Sequence, residues 1–277
     1  MIEEKVLLLH GPMQSRGVNP ISQQLYRDAQ GREKARSTFD CGPNVIALAT
    51  AFRACGFKVV YSGWSEDSGW LNASSDLFDH LVLTDQSTLR SESPFHGTLV
   101  SNNKEKLYYG ALRGLDLIRE KVGDQAIVFR LRSDMAVTPQ AVSSEISRIK
   151  RHSRQILIEY LDTAKTLWAP DFMLMAEVTV MQAIYRHLYD LSAADKSYHI
   201  SSHVDHIFAY LRLREEGVIS DIFCMSRVIF ESLVWRGIPR YLEHSFPGFA
   251  HTFFFDGKVE VPQEFNLESV LARMRRS

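Results

Sequence analysis

The chain has 277 residues, 45% of them hydrophobic and 23% charged, with a formal net charge of −1 at pH 7. That is one large domain, or a domain with a helical annex, with enough apolar side chains for a sizeable core. The near-neutral charge excludes a general nucleic-acid binder, since no basic excess exists to neutralise phosphates, although a local basic pocket remains compatible with it. The three cysteines, Cys41, Cys55 and Cys224, form no Cys-x-x-Cys pair. They argue against a structural zinc site or a disulfide framework and for buried free thiols in a reducing compartment. "MIEEKVLLLHGP" puts acidic residues ahead of a short apolar run, whereas a signal peptide starts basic and runs longer. No stretch approaches the roughly 18 apolar residues of a membrane span. The expected location is cytoplasmic.

Lys5–Leu9 reads as a first strand that delivers His10-Gly11-Pro12 to one edge of a sheet. Residues 10–42 follow as a long polar connection, expected to be mobile without ligand, with room for a helical turn or two in "ISQQLYRDAQGREKARS". Pro43 suits a first helical turn, Val45, Ile46, Ala49 and Phe52 make an apolar face, and Gly56 suits a stop. Phe57–Trp64 and His80–Thr84 read as the second and third strands. From Asn103 to Val122, Tyr108, Ala111, Leu112, Leu115, Ile118 and Val122 recur at helical spacing, and Gly123 ends the helix. Ala126–Leu131 is a fourth strand, Pro139 opens another helix, and Gln155–Leu161 is a further strand. The alternation predicts parallel βαβ units. In the second half, Ala169–Ala176 reads as a short strand, and Val178–Leu191, Tyr198–Glu216 and Asp221–Trp235 read as helices. "HTFFFDGKVEV" predicts a hairpin around Asp256-Gly257. The division expected is 1–165, an α/β ligand-binding region, and 166–277, a helix-rich region packed on the same domain.

Neither G-x-x-x-x-G-K-[ST] nor G-x-G-x-x-G occurs. The best match to a hydrolase nucleophile elbow is Ser65 in "SGWSEDSG", with Asp67 where the second glycine belongs and no helix behind it. The strongest local feature is "VFRLRSDM", an apolar strand ending in Arg132-Ser133-Asp134. A carboxylate at a strand's carboxyl end sits where open α/β sheets bind ligands. Asp134 there suits Mg²⁺ or Mn²⁺. Arg130 and Arg132 alternate with Leu131, share a face, and suit a diphosphate. The competing reading is a capping aspartate with solvated arginines.

Asn103 to Met135 resembles the centre of the WavE family of lipopolysaccharide-synthesis proteins. In that family an Asn-Arg-Gln-like start opens a helix with a Gly-Leu-containing turn, and a strand leads to Lys-x-Arg-[ST]-Asp. Asn103-Lys104-Glu105, Gly114-Leu115 and Arg130-Leu131-Arg132-Ser133-Asp134 stand in those places. His10–Pro12, Tyr61–Trp64 and Pro170–Ala176 resemble the family's Gln-Gly-Pro, Ser-Thr-Trp and Asp-x-Phe-x-x-Gly segments. The resemblance implies a GT-A-like, mostly parallel α/β sheet with a helix-rich C-terminal half. It further implies a glycosyltransferase moving a sugar from a nucleotide-sugar donor to a surface polysaccharide or lipopolysaccharide precursor.

Under that implication Gly11, Pro12, Arg16, Trp64, Asn103, Arg130 and Arg132 hold the donor. Asp134 and the late His251 hold the divalent metal, and Asp171 or Glu177 takes the acceptor's proton. An ordinary turn role competes for Asp171 and His251, and a core role for Trp64. His199, His203 and His206 share a helix face, read as exposed or acceptor-lining rather than zinc-binding. The tail "LESVLARMRRS" is a short basic amphipathic helix, a terminal cap or a peripheral contact with an anionic membrane. Expected partners are a nucleotide-sugar donor and a glycan or glycolipid acceptor. The other classes kept open are an esterase using Ser65 and a non-catalytic sugar-nucleotide or glycan binder.

Overall fold

The computed structural model describes residues 4–17, 37–95, 98–101, 103–162, 169–198, 201–239, 253–254 and 257–259. Seven strands form the central sheet: β1 (Lys5–His10), β2 (Lys58–Trp64), β3 (His80–Thr84), β4 (Ile127–Arg132), β5 (Gln155–Ile158), β6 (Met173–Glu177) and β7 (Asp221–Cys224). Their spatial order is β7-β5-β6-β4-β1-β2-β3. All run parallel except β6, which is antiparallel to both β4 and β5. The α/β class with a mostly parallel sheet is therefore present. Strands from both sides of residue 165 enter the one sheet.

β1 explains why the sheet needs two covering layers. Val6, Leu7, Leu8 and Leu9 are all 0% exposed. Successive strand side chains point to opposite faces, so an unbroken apolar run means both faces are buried. Val6 and Leu8 enter one apolar cluster with helices α2 (Lys104–Lys121), α4 (Val178–Ala193) and α5 (Ser202–Glu215). Leu7 and Leu9 enter the other, with α1 (Gly42–Ala54), α3 (Pro139–Ile146) and α6 (Arg227–Ser232). Each fully buried Leu or Val contributes about 1.5–3 kcal/mol.

Two expectations need correction. The segment read as one helix over 221–235 is β7, then the six-residue α6, then a short strand, Val234–Trp235. Asp221–Cys224 alternates half-buried and buried residues, a two-residue period, and pairs with β5. Most of the hairpin expected around Asp256-Gly257 lies outside the described residues; of those described, Phe253–Phe254 pairs with Leu161–Asp162 and Lys258 bridges Phe223. Cys41 and Cys224 are buried free thiols, but Cys55, just past α1, is exposed.

The long connection after β1 begins and ends as a two-stranded antiparallel ladder, Gln14–Gly17 with Ser37–Asp40. The helical turns expected within 21–36, His199, His251 and the basic tail lie outside the described residues. Among the described residues, no helix is long and apolar enough to cross a membrane.

Candidate functional site

β1 and β4 are parallel neighbours, with His10 opposite Arg132, so both release their loops at one edge. The Ser133 N–H donates to the His10 carbonyl at 2.9 Å, and Ser133 Oγ donates to the Pro12 carbonyl at 2.8 Å. Between them Gly11 has φ +124°, and a Cβ there would stand 2.8 Å from Ser133 Oγ. Only glycine suits both the dihedral and the space. The Tyr61 hydroxyl donates to the Gly11 carbonyl at 2.6 Å. From α1, the Asn44 side-chain amide donates to the carbonyls of Ser133 and Met135 at 2.8 and 2.7 Å. The Asp134 loop is thus fixed from both sides.

A cavity of about 560 Å³ opens at this edge. Of the residues expected from sequence, Gly11, Pro12, Trp64, Asn103, Arg132, Asp134 and Asp171 line it. His10, Ser15, Lys104, Lys106, His203 and Arg236 line it too. Arg130 does not: it is 0% exposed, its guanidinium lies 5.4 Å from the Tyr185 ring centroid, and its Nη1 donates to the Asp171 carbonyl. Glu177 pairs in register with Ile127 at the other end of β4, about five strand residues or roughly 15 Å from the cavity edge. Its Oε1 accepts the His152 N–H. The backbone of Arg16 belongs to the ladder opposite Thr38, and its side chain lies outside the description. Ser65 is exposed in the turn Ser65–Asp67, outside the cavity lining.

Asp134 is the most heavily engaged group. Its Oδ1 accepts Arg132 Nε at 3.0 Å. Its Oδ2 accepts Arg132 Nη2 at 2.9 Å, and Arg236 Nε, Trp235 Nε1 and Ser15 Oγ each at 3.1 Å. Burial opposes its ionisation, yet Arg132 and Arg236 hold its carboxyl below the usual carboxylate range. Arg132 reaches on to Asp171, with Nη1 3.3 Å from Oδ1. Burial lowers the Arg132 pKa, but Asp134 and Asp171 outweigh it and raise it above the ordinary guanidinium value.

Asp171 takes a second hydrogen bond from Ser202 Oγ at 2.6 Å, at the start of α5. Burial raises its pKa, but the basic side chains around it, His203 and Arg132 first, outweigh that and hold it below the usual range. The Asp171 N–H donates to His203 Nδ1 at 3.0 Å, while the same Nδ1 is 3.4 Å from Asp171 Oδ1. Nδ1 cannot both accept the amide proton and donate to the carboxylate. The shorter contact makes it the acceptor, so the neutral ring carries its proton on Nε2.

Behind the cavity wall lies a buried polar layer between the sheet and α2 and α5. Lys104 Nζ contacts Asp205 Oδ2 at 2.6 Å, and the Tyr108 hydroxyl donates to the same oxygen at 3.2 Å. His206 is fully buried, its Nδ1 2.7 Å from the Ser202 carbonyl, and burial pushes it down to about 4. His203 faces the cavity and His206 the core, so those two do not converge as a zinc site. Among the described residues no group of three or more His, Cys, Asp or Glu could hold a metal ion. Four of the five donors on Asp134 crowd Oδ2, and the Arg132 and Arg236 guanidiniums set two positive charges where a divalent ion would have to sit. The described residues around Asp134 do not fit a divalent ion.

Sequence reading missed Arg236, Lys104 as a cavity group, and His10. His10 stood in the quoted "HGP" run. Arg236 was hidden because it directly follows a segment, 221–235, that reads as helix.

No family model and no curated protein matches the chain, so the WavE resemblance rests on the quoted motifs alone. Among solved structures the chain is similar to a nucleotidyl transferase from Methanothermobacter thermautotroptrophicus, 15% identical, covering 87% of this chain and 95% of that one, TM-score 0.46. It is similar to 4-diphosphocytidyl-2C-methyl-D-erythritol synthase from Anaerococcus prevotii, 12% identical, covering 82% and 91%, TM-score 0.42. It is also similar to mouse xyloside xylosyltransferase 1, 10% identical, covering 82% and 86%, TM-score 0.42.

Proposed function

We propose that the protein is a glycosyltransferase that takes a nucleotide-sugar donor and moves its sugar to a glycan or glycolipid hydroxyl, in keeping with the WavE-like motifs of surface-polysaccharide synthesis. The observation that carries this is the cavity at the carboxyl edge of β1 and β4. Four cationic side chains, Lys104, Lys106, Arg132 and Arg236, line it against two carboxylates, Asp134 and Asp171. Its volume, about 560 Å³, falls in the usual range for small-ligand sites.

Transfer breaks the bond between the sugar's anomeric carbon and the diphosphate oxygen. The electron pair leaves with the nucleoside diphosphate, and the acceptor oxygen forms the new bond. Negative charge grows on the leaving oxygen, and fixed cations facing it lower the barrier. Arg132 suits that role, because its guanidinium is oriented by two carboxylates before any ligand arrives. Gly11, with no Cβ, lets Ser133 pack against the loop and fixes it at the cavity's edge. Asp171 is the expected carboxylate that lines the cavity and so the candidate partner for the acceptor hydroxyl. Its depressed pKa makes it a weak base, so the proton moves late, after the hydroxyl oxygen has begun to bond.

A thermal-shift screen of nucleotides and nucleotide sugars, followed by turnover of every donor that stabilises the chain, tests this. Donor-specific stabilisation with release of nucleoside diphosphate is expected. Stabilisation without turnover would make the protein a binder. No response to any donor, with a serine-reactive phosphonate labelling Ser65, would favour an esterase.

A further inference from the structure

The hairpin that carries Arg236 is built against its own backbone preference. Val234–Trp235 pairs with Ile238–Pro239, leaving the two-residue loop Arg236-Gly237. Both loop residues have positive φ, 49° and 79°. Such loops favour Asn-Gly or Gly-Gly, because a β-carbon is strained there. An arginine in a strained position points to a use for its side chain. That side chain is directed inward, 10% exposed, and lines the cavity. Its Nε donates to Asp134 at 3.1 Å, its Nη2 to Ser15 Oγ at 2.8 Å, and its guanidinium lies 5.1 Å from the Trp235 ring centroid. Its backbone N–H also donates to the Asp134 carbonyl at 2.9 Å. The second strand of contact, Val234–Trp235 with Met135–Ala136, fixes this hairpin beside Asp134.

We infer that Arg236 and Arg132 together form a diphosphate clamp, with Asp134 as the positioning residue that orients both, and that the anion binds without a divalent ion. The identity of the anion rests on the nucleotide-sugar reading; the clamp itself does not. Asp134 ties the two guanidiniums together from one side. A guanidinium presents five donors in a rigid fork and matches phosphate oxygens with two of them at once. A cation on Asp134 would stand against both guanidinium charges.

Calorimetric titration with inorganic pyrophosphate and with UDP, each in EDTA and in Mn²⁺, tests the inference on wild type, Arg236→Asn, Arg236→Lys and Asp134→Asn. Wild type should bind pyrophosphate in EDTA within threefold of its affinity in Mn²⁺. Arg236→Asn should weaken that binding at least tenfold while its melting temperature stays within a few degrees, because asparagine suits the left-handed turn. Arg236→Lys, which keeps the charge without the fork, should fall between. Asp134→Asn should weaken binding by the same factor in EDTA and in Mn²⁺, whereas a metal ligand would lose only the Mn²⁺-dependent part. Binding that needs Mn²⁺, or an Arg236→Asn variant that binds as wild type does, overturns the clamp and leaves the nucleotide-sugar reading standing. Arg236-dependent pyrophosphate binding with no response to any nucleotide sugar supports the clamp and overturns that reading. No binding in either buffer overturns both.

Discussion

Replacing Lys104 by methionine separates charge pairing from packing at the cavity wall. Lys104 is 4% exposed and Asp205 1% exposed, and Nζ stands 2.6 Å from Oδ2. Burial pulls the Lys104 ammonium below its usual range, and Asp205 only partly restores it. Methionine fills much of the same volume but leaves the Asp205 carboxylate buried without that ammonium. Breaking a buried pair from one side costs about 3–5 kcal/mol. Set against a typical domain stability of about 5–15 kcal/mol, that is a large loss. For a chain of this size it lowers Tm by roughly 10 °C. The double variant, Lys104→Met with Asp205→Leu, removes both charges and should recover most of the loss. Urea denaturation of the wild type, both single variants and the double variant closes the cycle, with a coupling energy of about 2 kcal/mol or more expected. A single variant that loses less than about 1 kcal/mol would refute the claim that this pair is buried and tightly coupled.

Gly11→Ala should destabilise the chain by about 1–3 kcal/mol through its left-handed dihedral, and should weaken ligand binding because Ser133 must move; parallel denaturation and titration read both effects. Acidification should destabilise the protein before its carboxylates titrate. His206 sits at about 4 when folded against an ordinary value of 6.5, so the unfolded chain takes up its proton first. Stability is then full above about 6.5 and falls by about 3 kcal/mol as pH drops to about 4. His10, also lowered by burial, adds to the loss. A pH series of denaturation curves should flatten in that window for His206→Gln, and an unchanged slope would exclude the cause. Asp171→Asn should lower kcat with donor affinity nearly unchanged, whereas Glu177→Gln should lower stability and leave turnover within a few-fold; initial rates beside calorimetry separate them.

The sheet's core was legible because its signals are local. β1 is an apolar run with charged residues before it, α2 keeps a helical period from Tyr108 to Ile118, and Pro43 and Pro139 stand in the first turns of α1 and α3. The cavity edge was legible for the same reason, since Gly11 and Arg132-Ser133-Asp134 lie at or just past strand ends. The segment at 221–235 was not, because Ile222, Ile229 and Phe230 satisfy a helical spacing while the pairing that makes β7 comes from β5, more than 60 residues earlier. Arg130 and Arg132 were read as equivalent. One residue pair decides otherwise: Tyr185 and the Asp171 carbonyl enclose Arg130, whereas Arg132 lies at the rim with 22% of its side chain exposed. Alternation predicts a face, not a depth along it.

The partners of Asp134 are far apart along the chain: Ser15 lies 119 residues before it, and Arg236 lies 102 residues after it and 221 after Ser15. Contacts of such long sequence separation close large loops and form late in folding. The sheet can gain β1, β2, β3 and β4 while the growing chain is still short of residue 236. A nascent chain stopped there would hold its apolar core and two carboxylates at an edge not yet neutralised by the second arginine. Ligand affinity in this protein therefore reports that the Val234–Pro239 hairpin has docked, since the clamp closes only after Val234–Trp235 has found Met135–Ala136.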